Sequence, residues 1–274
     1  MQQEVFPGRS GYQQRPIVRH RGAVRCAAID NVAEEVPVAL VFNGISHAVM
    51  MTTPCDLEEL AVGFALTEGI VRSSAEIYDL EVHRLPAAAE VQLTISQAAF
   101  MQLKERRRSL AGRTGCGVCG IESLALLDLE PEPLVLPAAP LSLELAGLAI
   151  ARAAGELGQH QALMRQTGGV HAAAWCTPDG AVQSVFEDVG RHNAMDKLVG
   201  HLALQGADLG AGFVFLSSRA SYELARKAAR VRIPMLATIS APTSLAIDIA
   251  RKAGLKLASF CRADGFVEYT GGEE

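Results

Sequence analysis

Residues 112–120 read Gly-Arg-Thr-Gly-Cys-Gly-Val-Cys-Gly, which sets Cys116 and Cys119 three apart among four glycines. Glycine lacks a Cβ and loses much freedom on ordering, so such a loop is costly to fix and packs reluctantly. Lys104, Arg106, Arg107, Arg108 and Arg113 surround its start. Positive charge favours thiolate over thiol, and the thiolate is the form that attacks sulfur. The pattern predicts a reactive sulfur centre on a swinging loop. Three other readings use the same pair. A structural zinc site needs four ligands at characteristic spacing, and Cys26, Cys55, Cys176 and Cys261 are scattered. A thioredoxin-like site needs a helix starting at the first cysteine, which Gly117 and Gly120 oppose. An inert turn needs no chemistry at all.

A second group of reactive residue types lies in the C-terminal half. Ser217-Ser218-Arg219, Ser240-Ala241-Pro242-Thr243 and Cys261-Arg262 each follow a short apolar run. Ligands of open α/β sheets sit beyond the carboxyl ends of strands, and the unpaired N–H groups of a following helix favour anions. Hydroxyls and two arginines on one edge suit a phosphate-bearing ligand. Plain helix capping by Ser and Thr is the competing account of each position. The dense polar stretch 188–193 (Asp-Val-Gly-Arg-His-Asn) binds ligand, orients the cysteine loop or satisfies buried backbone groups. His171 and His192 are candidates for proton transfer.

These residues need elements to hold them. Residues 36–42 and 45–51 are apolar runs joined by Asn43-Gly44, a strong hairpin signal because both turn positions need positive φ. Thr53-Pro54 reads as an N-cap with proline in the first turn, and Leu57, Leu60, Ala61 and Phe64 keep helical spacing up to Gly69. Strands are expected at 77–83 and 91–96, and a basic helix at 100–110. The four prolines between 126 and 140 mark a connector. Beyond it the pattern predicts a helix at 143–157, two strands joined by Pro178-Asp179-Gly180, and a helix around Met195–Leu202. Strands at 213–216, 234–239 and 255–260 then alternate with helices at 220–231 and 244–253. That alternation implies a partly parallel sheet. The expected organisation is a loose arm at 1–20, an α+β unit at 21–138 and an α/β unit at 139–274.

The chain has 274 residues, 49% hydrophobic, so a sizeable core can form. Its net charge of −5 gives no general drive toward nucleic acid. Six cysteines in a chain this long do not read as a disulfide framework, and no leader pattern is visible, so a reducing cytoplasm is expected. No charge-free apolar run is long enough to span a membrane.

With these residues assembled, the sequence resembles the FdhD family of formate dehydrogenase accessory sulfurtransferases. The matching stretches are VAEEVPVALVFNGISHAVMM, KERRRSLAGRTGCGVCG, TGGVHAAAW, EDVGRHNAMDKLVG and SSRASYELARKAA. The resemblance implies a homodimer that takes persulfide sulfur from a cysteine desulfurase. It implies transfer to the molybdenum cofactor, Mo-bis(molybdopterin guanine dinucleotide), which formate dehydrogenase requires in sulfurated form. Cys116 matches the persulfide-bearing cysteine and Cys119 its partner. Phe260, Cys261, Arg262, Ala263, Asp264 and Gly265 match the cofactor-contacting segment. Ser217, Arg219 and Thr243 join them as candidates from the strand-end argument, with GDP as a mimic of the ligand. No resident metal is expected. The resemblance also implies a cytidine-deaminase-like C-terminal core. Deaminase chemistry does not follow, since it needs H-x-E followed downstream by P-C-x-x-C. Here Ala172-Ala173 follow His171, and the one CxxC lies upstream. The alternative within the same resemblance is a chaperone that binds the cofactor without sulfur chemistry.

Overall fold

The computed structural model describes residues 10–108, 131, 133–134 and 143–271. The connector at 126–140 and the cysteine loop at 112–120 therefore fall largely or wholly outside the described residues.

The chain begins with a ribbon. Strands β1 (Tyr12–Arg21) and β2 (Val24–Ala33) pair antiparallel over their full length. Residues 12–20 are thus strand and not a loose arm. Their side chains are mostly exposed on both faces, so no apolar alternation marks them. Backbone pairing across the Gly22 turn supplies the order that composition does not.

Strands β3 (Val36–Phe42) and β4 (Ile45–Thr52) form the expected hairpin, with Asn43 and Gly44 at φ 46° and 77°. Strands β5 (Ile77–Leu85) and β6 (Ala88–Ile95) complete a four-stranded sheet in the order β4-β3-β6-β5. Helix α1 (Leu57–Thr67) covers it, and α2 (Gln97–Arg108) follows the last strand. Helix α1 starts later than Thr53-Pro54 predicts. Thr53 is occupied elsewhere, and the helix begins after Asp56 in a left-handed conformation.

The second sheet has six strands, ordered β12-β11-β10-β9-β7-β8. They are β7 (His171–Cys176), β8 (Val182–Asp188), β9 (Phe213–Leu216), β10 (Met235–Thr238), β11 (Lys256–Arg262) and β12 (Gly265–Glu268). Strands β9, β10 and β11 run parallel; β7 opposes β9, and the outer strands are antiparallel. The partly parallel expectation holds, while the hairpin strand β12 was not foreseen. Helices α3 (Leu143–His160), α4 (Ala162–Thr167), α5 (Arg191–Leu204), α6 (Tyr222–Arg230) and α7 (Ser244–Ala253) complete the mixed α/β fold.

Period-two alternation divides this sheet's side chains. Val214, Leu216 and Leu236 join α1, α5, α6, α7 and the first sheet in one core. Phe213, Phe215, Met235 and Cys261 face the other way, onto α3. The units expected on either side of residue 138 therefore share one unbroken core. Its closest approach is α1 against α5. A Cβ on Gly200 would lie 1.9 Å from the Glu59 carbonyl oxygen, and one on Gly63 would lie 1.7 Å from that of Asp196.

Two buried charge networks cross the same seam. Lys197 and Asp188 are both fully buried and 2.7 Å apart. Asp188 also accepts from the Thr53 N–H at 2.9 Å, the Thr53 hydroxyl at 2.8 Å and the Gly190 N–H at 2.8 Å. In the second, Lys227 lies 2.9 Å from Asp196 and 2.8 Å from Glu68, and donates to Thr67. Burial opposes the Lys227 charge; Asp196 and Glu68 more than restore it and raise its pKa. Among the described residues no helix is long and apolar enough to cross a membrane.

Two outcomes follow. Gly200→Ala must push α1 and α5 apart, because the obstacle is backbone, and should cost about 3 kcal/mol or more in denaturant unfolding. Asp188→Asn leaves Lys197 buried without its counter-charge and should cost about 3–5 kcal/mol at pH 7. Burial alone would raise the Asp188 pKa, but Lys197 and the hydrogen bonds hold it below the ordinary value. Its contribution is therefore complete above the unfolded aspartate pKa of about 3.9 and is lost as pH falls toward the lower folded value. The gap between Asp188→Asn and the native chain should narrow below about pH 4; a gap that stays constant would contradict this account.

Candidate functional site

The polar candidates converge because of strand direction. Parallel β9, β10 and β11 present their carboxyl ends on one edge, and antiparallel β7 starts there. His171 opens β7 opposite Asp188, the last residue of β8. Helices α5, α6 and α7 begin at the same rim.

Ser217 continues the ladder beyond β9. Its N–H donates to the Ala172 carbonyl at 3.0 Å, and its Oγ accepts from the Ala172 N–H at 2.8 Å. Arg219 is exposed beside it. The loops after β9 and β10 are zipped by a bridge between Ala220 and Pro242. Thr243 accepts the Ala246 N–H at 3.3 Å, so it caps α7, as the plainer reading of that position holds.

The segment 260–265 divides in two. A bulge between Ser259 and Arg262 breaks the register of β11 with β12. Phe260 takes φ 54° there and is 44% exposed, while Cys261 is fully buried. A bulky residue in the left-handed region is an outlier that costs about 1–3 kcal/mol and persists where the surroundings enforce it. The Cys261 side chain belongs to the core under α3, so only its backbone faces the rim. Arg262 donates from Nη1 to the Ile239 carbonyl at 2.7 Å and to its neighbour's at 2.8 Å. Ala263, Asp264 and Gly265 lie exposed at the turn into β12.

Beside Ser217 opens a cleft of about 380 Å³, lined by Gln161, Met164, Gly168, Gly169, Val170, His171, Ser217 and Ile239. Gln161 and Ile239 were not singled out by sequence. The only signal was Thr167-Gly168-Gly169 ahead of β7, where Gly168 takes φ 66°. Burial, then the charge of Arg191, pushes the His171 pKa down. Its ring is therefore neutral at pH 7.

The polar stretch 188–193 is largely architectural. Asn193 donates to the Met51 carbonyl at 2.8 Å and to Asp188 at 2.9 Å. His192 Nε2 lies 3.2 Å from Glu223 and joins the starts of α5 and α6. That hydrogen bond is the chief reason the Glu223 pKa falls to about 2.

Cys116 and Cys119 lie outside the described residues. Among the described residues, Cys26, Cys55, Cys176 and Cys261 form no disulfide. Desolvation pushes Cys176 up to about 12 and Cys261 up to about 11, and raises Cys55 as well. Cys26 is exposed on the ribbon and donates to the Arg19 carbonyl at 3.6 Å.

The chain is 67% identical over 260 residues to a sulfur carrier protein FdhD from Chromobacterium violaceum, covering 95% of this chain and 96% of that one. It is 62% identical over 264 residues to a sulfur carrier protein FdhD from Burkholderia mallei, at 95% and 96% coverage. Among solved structures it resembles a protein from Desulfotalea psychrophila assigned as a formate dehydrogenase accessory protein. That likeness has a TM-score of 0.73 and 25% identity, and covers 96% of this chain and 98% of the other. The model of the FdhD/NarQ family matches residues 33–274, everything from the end of the ribbon onward, and the chain belongs to that family.

Proposed function

We propose that this chain is a sulfur carrier for formate dehydrogenase. It accepts persulfide sulfur from a cysteine desulfurase and passes it to the molybdenum cofactor, Mo-bis(molybdopterin guanine dinucleotide). The observation that carries the reading is 67% identity, over 95% of the chain, to a protein named as a sulfur carrier. The strand-end rim supports it with exposed Phe260, Arg219, Arg262 and the starts of α6 and α7. Phosphates suit helix N-termini and arginines, and an exposed ring suits a base. GDP is the natural mimic.

The Cys116 thiolate attacks the outer sulfur of the donor persulfide. The donor S–S bond breaks, the donor leaves as a thiolate, and Cys116 holds the sulfur as a persulfide. In this reading Cys119 then attacks the Cys116 sulfur. That step closes a disulfide, oxidises the two cysteines and releases the outer sulfur as sulfide for the cofactor. A cellular dithiol must reduce the disulfide before the next cycle. The same reading takes the chain to be a homodimer in the cytoplasm. It takes the second sheet as a cytidine-deaminase-like core, supported by the order β8-β7-β9-β10-β11 with an antiparallel edge and three parallel strands.

Incubation with a cysteine desulfurase and cysteine should add about 32 Da to the chain, one persulfide sulfur. The adduct should vanish in Cys116→Ala and form in Cys119→Ala, which then fails to release sulfide. An undiminished adduct in Cys116→Ala would place the carrier elsewhere. Formate dehydrogenase restored by the double Cys116→Ala, Cys119→Ala chain would establish delivery of cofactor without sulfur chemistry.

A further inference from the structure

Strands β1 and β2 pair only with each other, and from Gln14 to Asp30 nearly every side chain is exposed. The base of this ribbon is held to α4, where Asn31 donates to Gln166 at 2.9 Å. A two-stranded sheet standing alone in water is marginal, so the rest of it calls for a partner. Residues opposite each other in an antiparallel pair share a face. The register therefore sets Pro16 with Ile29 and Val18 with Ala27 in one apolar stripe, which ends at His20 and Arg25 near the tip. Ile29 is 68% exposed. From Val18 to Arg25 the tip carries three arginines and no carboxylate, in a chain whose net charge is −5. Asp30 lies on the opposite face of the ribbon, 3.9 Å from Arg19.

A matching surface lies on the four-stranded sheet. Val38, Leu40 and Val91 turn inward to the core shared with α1. Alternation puts their neighbours on the outer face, where Pro37 pairs with Met51 and Ala39 with Val49 across β3 and β4. Val49 and Met51 are 60% and 49% exposed. On β6 and β5 the same face carries Glu90 and Glu81, beside His83, and no Lys or Arg. An apolar half thus adjoins an acidic half, the counterpart of the ribbon's apolar stripe and basic tip. The spacings agree as well. Three residues of ribbon, from the middle of the stripe to Arg25, span about 10 Å, and so do two strand-to-strand steps across the sheet. The ribbon of the same molecule does not cover this face, since Ile29 and Val49 are both exposed.

We propose that the ribbon of one copy lies across the outer face of the four-stranded sheet of a second copy, and that the two copies exchange ribbons. The stripe around Val18 and Ile29 covers Val49 and Met51, and Arg25 at the tip meets Glu81 and Glu90. Exchange makes the contact two-fold, so that each copy gives one ribbon and receives one. A single ribbon face is small beside the roughly 1,200–2,000 Å² that a stable interface buries, and the exchange supplies it twice. The assignment rests on the homodimer reading above and adds to it the two surfaces that meet.

Sedimentation equilibrium of the full chain, with circular dichroism to check folding, tests this without any sulfur chemistry. Ile29→Asp on the ribbon and Val49→Asp on the sheet should each raise the dimer dissociation constant about tenfold or more. Both side chains are exposed, so the core is spared. Arg25→Glu and Glu90→Arg should each weaken self-association too, by setting like charges together. Mixed in equal amounts, these two variants should associate more tightly than either does alone, because each contact of the mixed dimer then joins opposite charges. A chain that was merely destabilised would show no such recovery. If an Asp variant fails to fold, the charge variants decide. Native self-association in the folded variants overturns the proposal and leaves a homodimer built on another surface. A loss confined to Ile29→Asp seats the ribbon away from the sheet and also overturns it. A native chain that stays monomeric overturns both this proposal and the homodimer reading, while persulfide loading of Cys116 remains a separate measurement.

Discussion

Asp188 has no oxygen to spare. One takes the Gly190 N–H and the Asn193 amide; the other takes Thr52, Thr53 and Lys197. The carboxylate ends β8, the donors come from the end of β4 and the start of α5, and all of it is dry. Such a pair is a poor source of net stability, because removing two charges from water costs nearly what their attraction returns. Its value is geometric. It holds the last residue of β8 against the start of α5, and His171 is the register partner of Asp188 across the ladder. The wall of the cleft thus inherits its position from an ion pair that no ligand reaches.

The rim itself separates two kinds of surface. Charge and helix N-termini lie outward, around Arg219 and the starts of α6 and α7. The cleft behind Ser217 is neutral. Between them, the bulge in β11 turns Phe260 outward and Cys261 inward, where strict alternation would have followed the pleat. Ala258 and Cys261 both face α3 although they are three residues apart, which a two-residue period permits only with such a step. The left-handed backbone of Phe260 is the cost of that choice.

What sequence could foresee was local. Asn43-Gly44 specifies its hairpin because both residues tolerate positive φ, and no distant group competes. The alternating strands and helices after residue 210 were legible for the same reason. Thr53 misled because its hydroxyl and N–H are claimed by a carboxylate 135 residues away. The ribbon at 12–33 was missed because a two-stranded sheet exposed on both faces needs no apolar pattern. Gln161 gave no sign, since lining a cleft is a property of surroundings and not of spacing. Ser217, Thr243 and Phe260 do follow or end parallel strands at one edge, as strand alternation implies. The roles differ: Thr243 caps a helix, and Cys261 turns its thiol away.

The fate of that thiol bears on how a sulfur carrier must be built. Exchange at sulfur runs through the thiolate, so any reachable thiolate near the delivery point competes for the cargo. Cys261 sits within the rim segment, yet burial lifts its pKa to about 11. At pH 7 about one molecule in ten thousand would hold it as thiolate. Cys176, in the same apolar layer beneath the sheet, is suppressed further. If the chain carries a persulfide to the rim, as proposed, that sulfur would meet no nucleophilic thiolate from either of them. In that proposal the apolar packing that holds α3 to the sheet would also guard the transfer, because the same burial that fills the core silences both thiols.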